Sequence, residues 1–477
     1  MQPKRAIVSK TYRAVGSVGG WPGRVTARLL CPISYFCIVG LAAVIVGCPT
    51  RAVADDWQTC ADGEGDIAIA ACTRGIESKK FKGEDLAALY LNRGYEENNK
   101  GNADDALRDY NEALRLYPDY TLALNNRGIV YKAKGDFDHA IQDYNAALRL
   151  DPKYTRALSN RGNAYSDKGD FDHAIQDYNE ALRLDPKYTS ALNNRGYLYQ
   201  TKGDYDHAIQ DYSEAIRLDP KYILALNNRA SAYMAVRNYN HAIQDYNEVV
   251  RLSPSDFFAL NNLCLLYQVQ NDYDRAIANC NRAIEIDQTS ADAFINRGAS
   301  HLGRADRDHD TGEYDRAIQD YGAAIALDPK NVDAFMGRGD ALDAKGDEER
   351  AIDEYGKAID LNPKLALAWN NRCYVRAKID QIALALSDCN EALSLDKNTA
   401  EIFDSRGFTY LKMGDINNAL ADFDQALRLE PKLANSLYGR GVAKRKNGDS
   451  AGGDMDIAAA RAIRADIDDE FRRYGFK

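Results

Sequence analysis

Histidine is scarce in this 477-residue chain, with 6 residues, and tryptophan is scarcer, with 3. Four of the histidines, His139, His173, His207 and His241, recur at one fixed interval. Side chains one packed helical unit apart stand ~10 Å from each other. Ligands of one metal lie within ~4 Å, so these four are outer, solvated residues and not a metal set. The chain has no glycine-rich phosphate loop, no G-x-S-x-G turn and no H-E-x-x-H helix. Phosphoryl transfer, nucleophilic hydrolysis and zinc catalysis therefore lack the residues that carry them. An enzyme is not expected, and no cofactor is implied. Acidic residues are missing from positions 1–54, which hold seven basic ones; the remainder carries 54 basic against 71 acidic residues. Such a surface repels phosphate backbones and excludes nucleic acid as a partner.

The acid-free segment reads as an export signal. A basic stretch precedes the apolar run Ile33–Gly47, which at 15 residues falls short of the ~20 that span a bilayer. Ala52-Val53-Ala54 then offers small residues at −3 and −1, placing cleavage after Ala54. Two alternatives stand beside it: Ile45-Val46-Gly47-Cys48 resembles a lipoprotein box that would lipidate Cys48, and the segment could remain as an uncleaved anchor. All three put the body of the chain across the membrane, periplasmic or secreted in the first case and anchored facing the periplasm in the others. Membrane contact is confined to this segment.

Beyond it the chain repeats itself. A small residue, preceded in most copies by Arg, recurs at Gly94, Gly128, Gly162, Gly196, Ala230, Cys264, Gly298, Gly339, Cys373, Gly407 and Gly441. The interval is 34 throughout, except for 41 between Gly298 and Gly339. Stretches 134–154 and 168–188 differ only at Ala146 and Glu180. Within the unit that begins at Thr121, Leu124, Gly128 and Tyr131 share one helical face. Lys134-Gly135-Asp136 breaks the helix and caps the next. The second helix buries Ala140, Ile141, Tyr144, Ala147 and Leu148 and stops before Asp151-Pro152.

Gly128, Tyr131, Ala140, Tyr144 and Pro152 resemble the tetratricopeptide repeat pattern W-x2-L-G-x2-Y, A-x3-F, P, and the resemblance spans roughly 87–462. Leu124 stands for the tryptophan and Arg127 for the leucine. The resemblance implies an all-α, right-handed superhelical solenoid of helix-turn-helix repeats. Residues 1–54 form the signal or anchor and 55–86 an N-terminal capping half-repeat. Residues 87–450 form an array of about eleven repeats with a seven-residue insertion within 299–312, and 451–477 the last second helix and a C-terminal cap. In the insertion Asp306, Asp308 and Asp310 alternate as in a calcium loop, although Thr311 and Ala317 stand where an EF-hand needs Gly and Glu. The simpler reading is a longer turn or two extra helical turns.

An arginine in the first helix needs a partner if it is buried. Sixteen residues on, an acid answers it: Arg127 and Asp143, Arg161 and Asp177, Arg195 and Asp211, with equivalents along the array. Arg297 meets Asp320 across the insertion. Where the arginine becomes Leu263, the acid becomes Asn279. The two positions change together, which predicts a partly buried ion pair within each hairpin. Cysteines also come in pairs. Cys264 with Cys280 and Cys373 with Cys389 fill facing slots, and Cys60 with Cys72 repeats the device near the N-terminus. Disulfides are expected, with buried thiols or metal ligands as the alternatives. They require an oxidising compartment.

In the resembled family the first helices line a concave groove. The position two before the glycine slot carries Asn92, Asn126, Asn160, Asn194, Asn228, Asn262 and Asn296. A similar asparagine ladder in the O-GlcNAc transferase family's repeats grips extended peptide, while that family's catalytic part has no counterpart here. An amide offers one acceptor and two donors and matches a peptide group without reading sequence. Lys153, Lys187 and Lys221 follow the prolines and are candidates for the groove's edge, facing acidic partners. The expected function is a non-catalytic scaffold that binds a protein or peptide partner outside the cytoplasm; the alternative is a structural or self-associating envelope component.

Overall fold

The computed structural model describes residues 49–476, with side chains from Asp56 onward. The expected signal segment lies outside the described residues apart from its end, where helix Pro49–Asp62 begins. The chain divides into two compact units, Met1–Asp245 and Tyr246–Lys477. Among the described residues every regular element is a helix, and successive helices form antiparallel pairs. The fold is an all-α helix-turn-helix repeat solenoid.

In the N-terminal unit, helices Pro49–Asp62 and Gly65–Glu77 stand where a half-repeat was expected, so the terminal element is a whole, short hairpin. Four regular hairpins follow, beginning at Gly83, Thr121, Thr155 and Thr189, and then helix Ile223–Ala235. The hairpin of Thr121–Ala133 and Phe137–Leu150 is representative. Gly135 takes φ +79°, a left-handed turn that an L side chain strains to adopt. Asp136 caps the second helix by accepting from the His139 N–H at 3.2 Å. Ala140, Tyr144 and Ala147 are fully buried. A Cβ at Gly128 would stand 2.7 Å from Tyr144 Cε1, so the ring itself demands the glycine.

The C-terminal unit repeats this plan through hairpins that begin at Phe257, Ala291, Val332, Ala366, Ala400 and Ala434. In two of them the glycine and ring are exchanged for a disulfide, Cys264–Cys280 and Cys373–Cys389, with Cα atoms 5.3 and 5.4 Å apart. A third disulfide, Cys60–Cys72, closes the N-terminal hairpin. The insertion lengthens both helices of its hairpin, Ala291–Asp308 and Thr311–Leu327, to 18 and 17 residues. Extra helical turns are therefore shared between the two helices. Asp306 accepts from Tyr314 Oη, Asp308 pairs with Arg307, and Asp310 caps the Gly312 N–H. The three carboxylates thus serve helix ends, not a common cation.

Most of the arginines join three helices; beside Arg338 and Arg372 the place of the third partner is taken by Gly322 and Gly356. Arg161 Nε and Nη2 donate to the two carboxylate oxygens of Asp177 at 2.9 and 2.6 Å, while Nη1 donates to Asn145 Oδ1, in the preceding hairpin, at 2.5 Å. Arg127 reaches Asp143 and Asn111 in the same way, and Arg195 reaches Asp211 and Asn179. In the C-terminal unit Arg297 holds Asp320 and Asn281, and Arg406 holds Asp422 and Asn390. The third bond was not visible in the sequence reading. Burial raises the Asp177 carboxyl more than Arg161 lowers it, so the pair is held against a desolvation cost.

Two outcomes follow. Arg161→Leu alone strands a buried carboxylate and should cost about 3 kcal/mol. Arg161→Leu with Asp177→Asn, copying Leu263 and Asn279, should cost less than either single change; urea midpoints of the three variants check this. Cys264→Ser with Cys280→Ser should lower stability by about 3 kcal/mol for a loop of this size, read by denaturant titration without reductant.

Candidate functional site

The candidate site is the face formed by the first helices of consecutive hairpins, so the state of the asparagines decides what it can do. The seven differ in how open they are. Asn92 and Asn126 are buried, at 5% and 4% exposed. Asn160, Asn194, Asn228, Asn262 and Asn296 are half-buried.

Four of the seven bond across the repeat boundary to a further asparagine. Asn160 Nδ2 donates to Asn125 Oδ1 at 2.9 Å and Asn228 Nδ2 to Asn193 Oδ1 at 2.9 Å. In the C-terminal unit Asn296 Nδ2 donates to Asn261 Oδ1 at 3.0 Å, and Asn262 turns back to the Phe258 carbonyl at 2.8 Å. Where Ser159 replaces the neighbouring asparagine, Asn194 bonds to Asn163 instead, at 2.9 Å. The amides thus staple hairpin to hairpin and keep only part of their hydrogen-bonding capacity for a ligand. The doubled Asn-Asn dipeptide was the available signal: Asn125, Asn193 and Asn261, the first members of three such pairs, accept from the next repeat.

Lys153, Lys187 and Lys221 are exposed. Their backbone N–H groups donate to Asp151, Asp185 and Asp219 at 3.0 Å, turning the chain into the next hairpin and leaving the ammonium groups at its edge. His139, His173 and His207 stack on Tyr131, Tyr165 and Tyr199 at 5.1–5.2 Å and bond through Nδ1 to Asp136, Asp170 and Asp204 at 2.7 Å. These are surface clasps on the hairpin turns. The insertion buries a different histidine. His301 Nδ1 lies 2.6 Å from Glu313 Oε2, which also receives Arg304 at 2.7 Å. Burial pushes the imidazole down to about 4, reinforced by the guanidinium groups of Arg304, Arg297 and Arg316 against the opposing pull of Asp320. The neutral ring bridges the two lengthened helices. Among the described residues no group of three or more His, Cys, Asp or Glu could hold a metal ion. Nor, among the described residues, is any helix long and apolar enough to cross a membrane.

The C-terminus departs most from expectation. Instead of capping only the last hairpin, helix Ile467–Arg473 and the residues after it return to first helices of three hairpins, Ala366–Lys378, Ala400–Met413 and Ala434–Lys446. Tyr374 Oη donates to Glu470 Oε1 at 3.1 Å, and Phe408 meets Phe471, Tyr474 and Phe476 with ring centroids 5.5–6.1 Å apart. Beneath them Asp404 accepts from Ser436 Oγ at 2.5 Å. Burial pushes its carboxyl up to about 7, with Glu470 and Glu401 adding to the rise and Ser436 and Arg464 opposing it.

The folded chain therefore holds the Asp404 proton over a range where the unfolded chain has lost it. Stability tied to this proton is full below the ordinary carboxylate value and falls as pH climbs to about 7. Asp404→Asn, which restores the amide found at Asn125 and Asn193, should stabilise the chain at pH 8 and lose that advantage by pH 4. Urea midpoints of variant and parent at the two pH values check the sign.

The chain matches the tetratricopeptide repeat at 87–120, 189–222, 223–256, 257–290, 332–365 and 400–433, and the TPR repeat at 130–169, 162–203 and 305–346. Together these cover more than half of the sequence. No curated protein matches the chain. Among solved structures it is similar to Pseudomonas aeruginosa pilF, at 22% identity over 44% of this chain and 97% of that one, with a TM-score of 0.41. A tetratricopeptide repeat protein from Parabacteroides merdae is 23% identical over 54% and 98%, TM-score 0.39. The APC/C hetero-tetramer Cut9-Hcn1 is 14% identical over 82% and 89%, TM-score 0.43. With paired helices in every hairpin and the repeat matched over most of their length, the chain belongs to the tetratricopeptide repeat family.

Proposed function

We propose that this protein is a non-catalytic interaction scaffold that works outside the cytoplasm and takes extended polypeptide along the first-helix face of its N-terminal unit. The observation that carries the reading is the placement of one half-buried amide per hairpin at Asn160, Asn194 and Asn228. An extended chain rising ~3.3 Å per residue meets a group spaced by ~10 Å about every third residue. Each of these amides keeps hydrogen-bonding capacity beyond its inter-repeat bond. The exposed ammonium groups of Lys153, Lys187 and Lys221 favour a partner with acidic side chains. Three disulfides support the compartment, because reducing cytosol does not maintain such bonds. The periplasm is the proposed site, with the N-terminal segment supplying export.

The test is crosslinked capture of partners in the native compartment. Lys153→Glu with Lys187→Glu and Lys221→Glu alters only exposed side chains and should reduce capture at least tenfold at unchanged helix content. Asn160→Ala with Asn194→Ala should do the same while costing about 1 kcal/mol of stability per lost inter-repeat bond. Capture undiminished in both variants overturns the reading.

A further inference from the structure

We propose that the C-terminal segment 464–476 is a displaceable occupant of the first-helix face of the last three hairpins, and that a polypeptide carrying aromatic side chains beside carboxylates binds there in its place. The inference rests on the array being a polypeptide-binding scaffold, but it concerns a different stretch of the face and a more specific partner.

Solvating the end of the array does not explain the segment. The second helix of the last hairpin, Ser450–Ile463, does that through its own composition. Interior hairpins place Leu148, Leu182, Ile216, Ile284, Ile325, Ile359, Leu393 and Leu427 at the position that packs toward the next repeat. The last hairpin places Arg461 there, flanked by exposed Ala458, Ala459 and Ala462. The terminal surface is already fit for water, yet the chain continues and covers a face two hairpins further back.

The way it lies there is that of a bound peptide. Tyr374, Phe408 and Tyr438 form an aromatic shelf, one residue from each first helix, with Lys378, Lys412 and Lys446 beside it. Phe471 stacks on Tyr438 at 4.3 Å between centroids. Tyr474 meets Tyr374 edge-on at 6.2 Å, and the two hydroxyl oxygens lie 3.2 Å apart beside Glu470. Phe476 lies under the Lys446 ammonium at 5.5 Å, and Lys378 stands 5.9 Å from the Tyr474 ring. Lys412 donates to the Tyr474 carbonyl at 3.2 Å. Two carboxylates complete the contact, Glu470 on Tyr374 at 3.1 Å and Asp468 on the Tyr438 hydroxyl at 2.8 Å. Phe471 and Phe476 end 3% and 7% exposed.

The recognised chemistry is thus three rings at spacings of three and two residues, with acids immediately before the first. Positive groups over ring faces and hydroxyl donors to carboxylates select it. A segment tethered this closely acts at an effective concentration on the order of millimolar, so a partner must outbind it or arrive after it has been displaced.

The experiment uses the full chain with a protease recognition sequence inserted between Ala465 and Asp466. The folded protein is cut and passed through gel filtration. A fluorescent peptide of sequence 466–477 is then titrated by anisotropy against cut and uncut protein. We expect the cut array to keep its helix content and to bind the peptide at least tenfold tighter than the uncut chain. A peptide with Phe471→Ala and Tyr474→Ala should lose that binding, as should one with Asp468→Lys and Glu470→Lys. Loss of helix content on cutting makes the segment part of the fold and overturns the proposal, as does equal binding of the substituted peptides or failure of the cut array to take up the labelled peptide. Dimers of uncut chain that dissolve on cutting assign the face to a second copy and overturn the foreign partner. None of these outcomes touches capture through Asn160 and Asn194, which lie in the other unit.

Discussion

A guanidinium shared among three helices sets the geometry of most of the regular hairpins; the one with Leu263 and Asn279 is built without it. In the N-terminal unit Arg127, Arg161 and Arg195 each lock a carboxylate of their own hairpin with two bonds and reach a side chain of the hairpin before with a third. The planar fork of arginine makes this possible; lysine offers a point charge with no fixed angle between its donors. Because the carboxylate is buried more deeply than its partner, the pair adds little net stability and a large penalty for error. It therefore specifies how the two helices meet and how the next hairpin is placed on the last. The amides of Asn160 and Asn228 repeat the second task by bonds from one first helix to the previous one.

That dependence explains what could be read from the sequence. The hairpin, its glycine and ring, the paired cysteines and the Arg–acid pair all leave marks within one 34-residue unit, and copies within the chain vary in step. The third bond of the arginine leaves no such mark, since Asn111, Asn145, Asn179 and Ser213 look like ordinary surface residues of a second helix. The asparagines were legible as a row but not as bonded, because a bond between Asn160 and Asn125 depends on side-chain rotamers in two repeats. The C-terminal segment was least legible. It has no repeat to be compared with, and its contacts at Tyr374 lie about a hundred residues back along the chain.

The site therefore has two characters. The N-terminal first-helix face is polar, with its amides partly engaged. The face at 366–446 is aromatic and basic, covered by the chain's own end and underlain by the Asp404 carboxyl. A repeat fold permits this, since each hairpin packs only on its neighbours and its exposed face can change without disturbing the rest.

The disulfides bear on how such a chain is made. The six bridged cysteines admit fifteen pairings among themselves, and hairpins as alike as 134–154 and 168–188 can mistake one neighbour for another. Every bridge here joins residues only 12 or 16 apart, so each closes a short loop, where the entropic toll is least. A hairpin can be oxidised as soon as its own two helices have met, before the next has folded. The bridged hairpins then act as fixed mileposts, and the interchangeable ones between them have fewer wrong places to dock.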